Sequence, residues 1–269
     1  MRLLGVVLAL SVLCGAVPAL ACGPDTDCQL GDRHYRIAMP EGQVSGPVGA
    51  VVFAHGYRGS AAAVMLNKSL RRVVSDMGLA LIALKSADDD WVIPYAPRHM
   101  DSDGSEEFRY VEAVIEDVSA RFPIDTKRLM AAGFSAGGMM VWNLACTMPE
   151  RFAGFAAIAG TFWMKPPETC ATPAASLVHI HGTADPTVPL AGRPILETHQ
   201  GDVAEALDMY QALGRFSPSG EMAFEDLKCQ SRRNPKGEVL DSCLHPGGHT
   251  FRSSYLRFAW ELLHAAGQL

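Results

Sequence analysis

A chain of 269 residues, 48% hydrophobic and 19% charged, is long enough to bury one large core. Its formal net charge of −6, with basic residues scattered along the chain, argues against nucleic acid or an anionic membrane as the main partner.

The chain starts as an export signal does. Arg2 supplies the positive charge, residues 3–13 the apolar stretch, and Ala19-Leu20-Ala21 a small-residue cleavage site, so residues 1–21 are expected to be removed. Gly15 and Pro18 interrupt the run, which barely reaches the roughly 20 residues a membrane span requires. No later stretch is long and apolar enough to cross a bilayer. Lipoprotein processing would place a lipid on Cys22, but Ala19 and Leu20 suit that reaction poorly. The expected location is secreted or periplasmic.

Past the signal, residues 34–39 alternate as an edge strand should, and 49–54 form a continuous apolar run typical of a strand buried on both faces. The polar loop His55-Gly-Tyr-Arg-Gly-Ser60 follows, and Ser60 caps a helical stretch carrying Val64, Leu66 and Leu70. Residues 78–84 predict the next buried strand, and 86–103 the longest irregular region. Asp103-Gly-Ser-Glu106 opens a helix with Phe108, Val111, Val114, Ile115 and Val118 at helical spacing. Residues 129–132 then predict a buried strand and 139–146 a buried helix. Further strands are expected at 155–159 and 176–181, a helix at 201–213, a hairpin around Cys229, and a terminal helix at 253–263. Strands alternating with helices predict a mostly parallel sheet with helices on both faces. Residues 22–269 are expected to form one domain.

Six cysteines remain after the signal, an even number that favours disulfides in an exported chain. We expect sequential pairs: Cys22 with Cys28, Cys146 with Cys170, and Cys229 with Cys243. A three-residue loop at 235–237 would set Cys229 directly across from Cys243. Paired C-x-x-C spacing for zinc is lacking, so no metal and no cofactor are expected.

The chemistry concentrates at strand ends. Gly133-Phe-Ser135-Ala-Gly137 lies between a predicted strand and a predicted helix, the context in which a G-x-S-x-G serine becomes an exposed nucleophile. Asp185 follows the 176–181 strand in a proline-stiffened loop and is the candidate acid. His249, after Gly247-Gly248, is the candidate base, with His245 its competitor. Backbone N–H groups of Tyr57 and Ala136 are the candidate oxyanion donors. His55 and Arg58 are read as organising their loop. Trp91, Tyr95, Phe162, Trp163 and Phe251 lie in segments leading from strand ends and are candidate substrate-binding residues.

Four blocks, His55-Gly-Tyr-Arg-Gly-Ser60, Gly133-Phe-Ser-Ala-Gly-Gly138, His181-Gly-Thr-Ala-Asp-Pro-Thr-Val-Pro189 and Pro246-Gly-Gly-His249, resemble the exported polyhydroxybutyrate depolymerase and feruloyl esterase group of α/β-hydrolases. The resemblance implies the α/β-hydrolase fold and a serine esterase with Ser135 as nucleophile, Asp185 as acid and His249 as base. Many members of that group carry cysteine where this chain has Tyr57. A small-molecule or oligomeric ester substrate and a monomeric enzyme are the corresponding expectations. The alternatives are a serine peptidase on the same fold and a non-catalytic binding protein that kept it.

Overall fold

The computed structural model describes residues 22–43 and 45–269; the expected export signal lies outside the described residues. The strands, in chain order, are β1 (Cys28–Leu30), β2 (Arg33–Ala38), β3 (Val48–Ala54), β4 (Ala80–Ala83), β5 (Ile124–Phe134) and β6 (Gly154–Ile158). They continue with β7 (Leu177–Gly182), β8 (Arg193–Ile195), β9 (Thr198–Gln200), β10 (Ser217–Phe224), β11 (Leu227–Arg233) and β12 (Val239–His245). The helices are α1 (Ala61–Leu66), α2 (Lys68–Asp76), α3 (Ser105–Arg121), α4 (Ala136–Thr147), α5 (Val203–Gly214) and α6 (Ser253–Ala265).

Ten strands make one sheet in the order β1-β2-β4-β3-β5-β6-β7-β12-β11-β10. From β4 to β12 every neighbouring pair is parallel, while β1, β2, β10 and β11 run antiparallel at the two edges. The continuous apolar runs predicted this placement. Every residue of β3 is buried, as a strand covered on both faces requires.

Side-chain alternation splits the core in two. Ala50, Val52, Leu129 and Ala131 face one layer, with Val111 and Val114 of α3, Trp142 of α4 and Tyr210 of α5. Val51, Phe53, Met130 and Ala132 face the other, with Val64 of α1, Leu70 and Val74 of α2, and Leu256 and Ala259 of α6. Helices on both faces of a mostly parallel sheet establish the α/β-hydrolase architecture.

Two helix boundaries differ from the expectation. The helix opened by Ser60 stops after six residues, because Asn67 leaves helical geometry and its side chain accepts from Leu70 N at 3.1 Å. An asparagine that bonds its own backbone competes with the helix it sits in. Leu66, the last residue of α1, is 77% exposed. At α3 the cap residue is Gly104 at φ 78, and Asp103 Oδ1 accepts from Ser105 N instead of forming a full capping box.

All three expected cysteine pairs are joined: Cys22–Cys28, Cys146–Cys170 and Cys229–Cys243. Cys229 and Cys243 are direct register partners of β11 and β12. Their hairpin closes where Asn234 N donates to Glu238 O at 3.1 Å, leaving the three-residue loop 235–237. Replacing Cys229 and Cys243 together by alanine should lower the unfolding free energy by about 3 kcal/mol, the loop-entropy value for a ring of this size. Denaturant titration of the double variant measures it; an unchanged midpoint would show the hairpin holding itself.

Candidate active site

Ser135 stands where β5 gives way to α4. Its backbone has φ 61 and ψ −124, a region that costs a non-glycine residue roughly 1–3 kcal/mol. Ser135 N donates to Ile158 O at 2.9 Å, and Ser135 O accepts from Met139 N at 3.0 Å, so the turn is pinned on both sides. The flanking glycines meet a packing demand. A Cβ at Gly137 would lie 1.9 Å from Ala54 O, and one at Gly133 would lie 2.3 Å from Gly137 O. Strand, helix and β3 touch here backbone to backbone, and any side chain would separate them.

Asp185 sits in the loop after β7 with its side chain fully enclosed. Oδ1 accepts from Thr187 N at 2.8 Å and Val188 N at 2.9 Å, and Oδ2 accepts from His249 Nδ1 at 2.7 Å. A buried carboxylate is tolerated when its lone pairs are met in this way. Because a carboxylate only accepts, the proton is on Nδ1, and Nε2 of His249 carries the free lone pair. The imidazole keeps 17% exposure and lies 4.6 Å from the ring of Phe134, the residue before Ser135. Among the described residues no direct hydrogen bond joins His249 to Ser135 Oγ; such bonds often close only once substrate is bound.

The competing His245 is buried. Its Nδ1 accepts from Gly247 N at 3.1 Å, and burial lowers its pKa, so it shapes the loop that carries His249. His181 and His179 form a short chain behind the acid. His181 Nε2 donates to Val188 O at 2.7 Å, and its Nδ1 accepts from His179 Nε2 at 3.1 Å. Burial drives both pKa values down, that of His179 well below the ordinary range. This chain buttresses the Asp185 loop through Val188.

The loop after β3 passes close to the serine: a Cβ at Gly56 would lie 3.4 Å from Ser135 Cβ. His55 organises that loop, as expected. Its Nδ1 donates to Gly56 O at 2.8 Å, and its Nε2 accepts from Ser86 N at 3.2 Å. Burial lowers its pKa to about 4. Arg58 N donates to Asp89 O at 2.7 Å and its guanidinium reaches Asp89 Oδ2 at 3.3 Å. Among the described residues, the N–H groups of Tyr57 and Ala136 are not taken by a protein acceptor. Both residues line, with Ser135, a cavity of about 270 Å³.

The aromatic expectations fare unevenly. Trp91 is a correction: it is fully buried and its Nε1 donates to His55 O at 2.8 Å, so it supports the loop after β3. Phe251 is another, packing on Phe53 and Phe134 behind the histidine. Tyr95 and Phe162 line a second cavity of about 690 Å³, and Trp163 borders both. Sequence reading missed the β8–β9 hairpin, which gives Arg193, Ile195, Leu196 and Gln200 to the first cavity. Its strands are three residues long, too short for alternation to register, and Gly192 and Gly201 at its borders are the nearest thing to a signal.

The model of the phospholipase/carboxylesterase family matches residues 88–223, half of the chain. The chain belongs to that family. Among curated relatives, the putative esterase NocK of Nocardia uniformis subsp. tsuyamanensis is 32% identical over 167 residues, covering 60% of this chain and 47% of the relative. A probable feruloyl esterase C of Aspergillus terreus is 29% identical over 184 residues, covering 66% of this chain and 63% of the relative. The chain thus spans about half to under two thirds of the length of these relatives. An acetyl xylan esterase from Aspergillus awamori superposes with a TM-score of 0.64 at 14% identity, covering 90% of this chain and 96% of that one. That likeness shows a shared fold.

The low histidine pKa values fix a pH response. His55 titrates near 4 in the fold against 6.5 for the free side chain, so between those values the unfolded chain binds the proton and the folded one does not. The stabilising contribution is complete above about 6.5 and is lost as pH falls toward 4. Urea midpoints should therefore drop over this window, less steeply in His55→Gln. An equal slope in both proteins would assign the effect elsewhere.

Proposed function

We propose that this chain is a serine esterase that hydrolyses carboxylic esters through an acyl-enzyme, with Ser135, His249 and Asp185 as its catalytic triad. The observation that carries the reading is the 2.7 Å bond from His249 Nδ1 to the enclosed Asp185 carboxylate, beside a serine in strained elbow geometry. His249 Nε2 takes the proton from Ser135 Oγ as that oxygen adds to the ester carbonyl. Asp185 holds the imidazole in the required tautomer and offsets the charge of its cation. The N–H groups of Tyr57 and Ala136 receive the developing oxyanion, and each such donor is worth about 10²–10³ in rate. His249 then protonates the departing alkoxide, and afterwards activates the water that releases the acid and restores Ser135. No cofactor enters this chemistry.

Membership in a carboxylesterase family and likeness to feruloyl esterase C support the ester substrate. Within that class, aromatic acid esters and hydroxyacyl oligomers are the substrates we favour. Residues 22–269 act as one catalytic domain and as a monomer, since triad, oxyanion donors and cavity all come from one chain. Three disulfides fit a secreted or periplasmic protein, and the Cys22 sulfur is committed to Cys28, which opposes lipidation. Among the described residues no helix is long and apolar enough to cross a membrane. A peptidase gains no specific observation, and the complete triad speaks against a purely binding role.

An organophosphate should modify Ser135 and leave Ser135→Ala unmodified; mass spectrometry locating the adduct on another residue would end the assignment. Asp185→Asn should keep its fold but lose about 10⁴-fold in kcat, since the amide presents the wrong partner to His249 Nδ1. Steady-state turnover of an acetate ester reads the loss, and near-normal activity would remove Asp185 from the triad.

A further inference from the structure

Arg193 opens β8 and lines the cavity that holds Ser135, Ala136 and Tyr57. The acid loop fixes its place. Arg193 Nε donates to Thr187 O at 2.8 Å, Thr187 N donates to Asp185 Oδ1 at 2.8 Å, and Asp185 Oδ2 accepts from His249 Nδ1 at 2.7 Å. The guanidinium thus stands two hydrogen bonds from the Asp185 carboxylate and three from the His249 imidazole. Its plane is held at Nε. Nη1 and Nη2 meet no acceptor among the described residues, and no carboxylate there comes within ion-pair reach of Arg193. The residue is exposed, so this outer edge is open to a ligand.

Elsewhere around the cavity the charges cancel. Arg58 and Arg98 both reach Asp89 Oδ2, at 3.3 and 3.7 Å. Asp90, which lines the cavity together with Arg98, accepts at Oδ1 from Trp91 N at 2.9 Å. Two guanidinium groups there stand against two carboxylates. On the hairpin, Glu197 does not line the cavity and pairs with no cation among the described residues. Arg193 shares that wall with Ile195 and Leu196. A fixed cation in an apolar wall orients a ligand by one anionic substituent. Its free edge offers two parallel N–H donors, the match for the two oxygens of a carboxylate. A carboxamide of the same shape presents one uncharged acceptor oxygen, and an ammonium would be repelled.

We propose that Arg193 is a specificity-determining residue that selects esters carrying a free carboxylate besides the ester group. The proposal rests on the esterase reading and adds a substrate feature to it. The carboxylate can sit on the acyl or on the alcohol side, and two substrate pairs separate these cases, each a carboxylate against its uncharged carboxamide. The experiment compares kcat/KM for monoethyl succinate against ethyl succinamate, and for acetoxyacetate against acetoxyacetamide, in the wild type and in Arg193→Gln at low ionic strength. The wild type should favour the carboxylate of at least one pair by about threefold or more, within what an exposed ion pair contributes. Arg193→Gln should at least halve that ratio, because the amide keeps a donor but loses both the charge and the fork.

Wild-type ratios below about threefold in both pairs overturn the proposal, and so does a ratio that Arg193→Gln fails to halve. Should the variant fold poorly, the wild-type ratios decide. Enzyme that is labelled on Ser135 by an organophosphate but turns over none of the four esters also overturns it. Absence of both turnover and labelling overturns the esterase reading itself, and this one with it.

Discussion

The structure depends on one steric constraint: β3, β5 and α4 meet backbone to backbone at the serine turn. Gly137 approaches Ala54 O, and Gly133 approaches Gly137 O, at distances that leave no room for a Cβ. Contact that close brings the first turn of α4 against the end of β3, and the chain can pass between them only through a residue with φ 61. The fully buried helix from Ala136 to Cys146 supplies the packing that offsets the strain, because apolar burial of this extent outweighs a backbone penalty of about 1–3 kcal/mol. Ser135 is thereby left lining the cavity, and among the described residues its hydroxyl makes no hydrogen bond.

Around that turn, charge is concentrated in one place. Asp185 is enclosed but meets three donors, two from its own loop and one from His249. His181 Nε2 stands 3.6 Å from the same carboxylate, yet it donates to Val188 O and burial lowers its pKa. The carboxylate is thereby left to His249, whose imidazole keeps some exposure. A protonated histidine behind the acid would compete for that attraction. The low pKa of His181 is in this sense part of the positioning.

The oxyanion loop follows similar logic. His55, Trp91 and Ser86 hold the backbone on either side of Gly56 through bonds to both ring nitrogens and to the His55 carbonyl. These groups are buried and none of them lines the cavity, so the backbone beside Tyr57 is held by a scaffold set back from it. The opposite wall comes from the β8–β9 hairpin, whose short strands are anchored to the segment around Trp163. The serine turn and the opposite wall thus come from separate supports that meet at the cavity.

By itself the sequence determined the parallel sheet, because strands buried on both faces are apolar nearly throughout, as residues 48–54 and 80–83 are. It also marked Ser135, Asp185 and His249 as candidates, since a tight turn, a stiffened loop and a glycine-flanked loop each need particular residues, and it paired Cys229 with Cys243 through hairpin register. Only the tertiary structure decided that His249 rather than His245 meets the carboxylate, because both lie beside the same glycines and burial alone separates them. It moved Trp91 from the cavity to the core, as an aromatic in an irregular segment carries no period to reveal its facing. The β8–β9 hairpin stayed illegible because strands of three residues carry too little alternation to register.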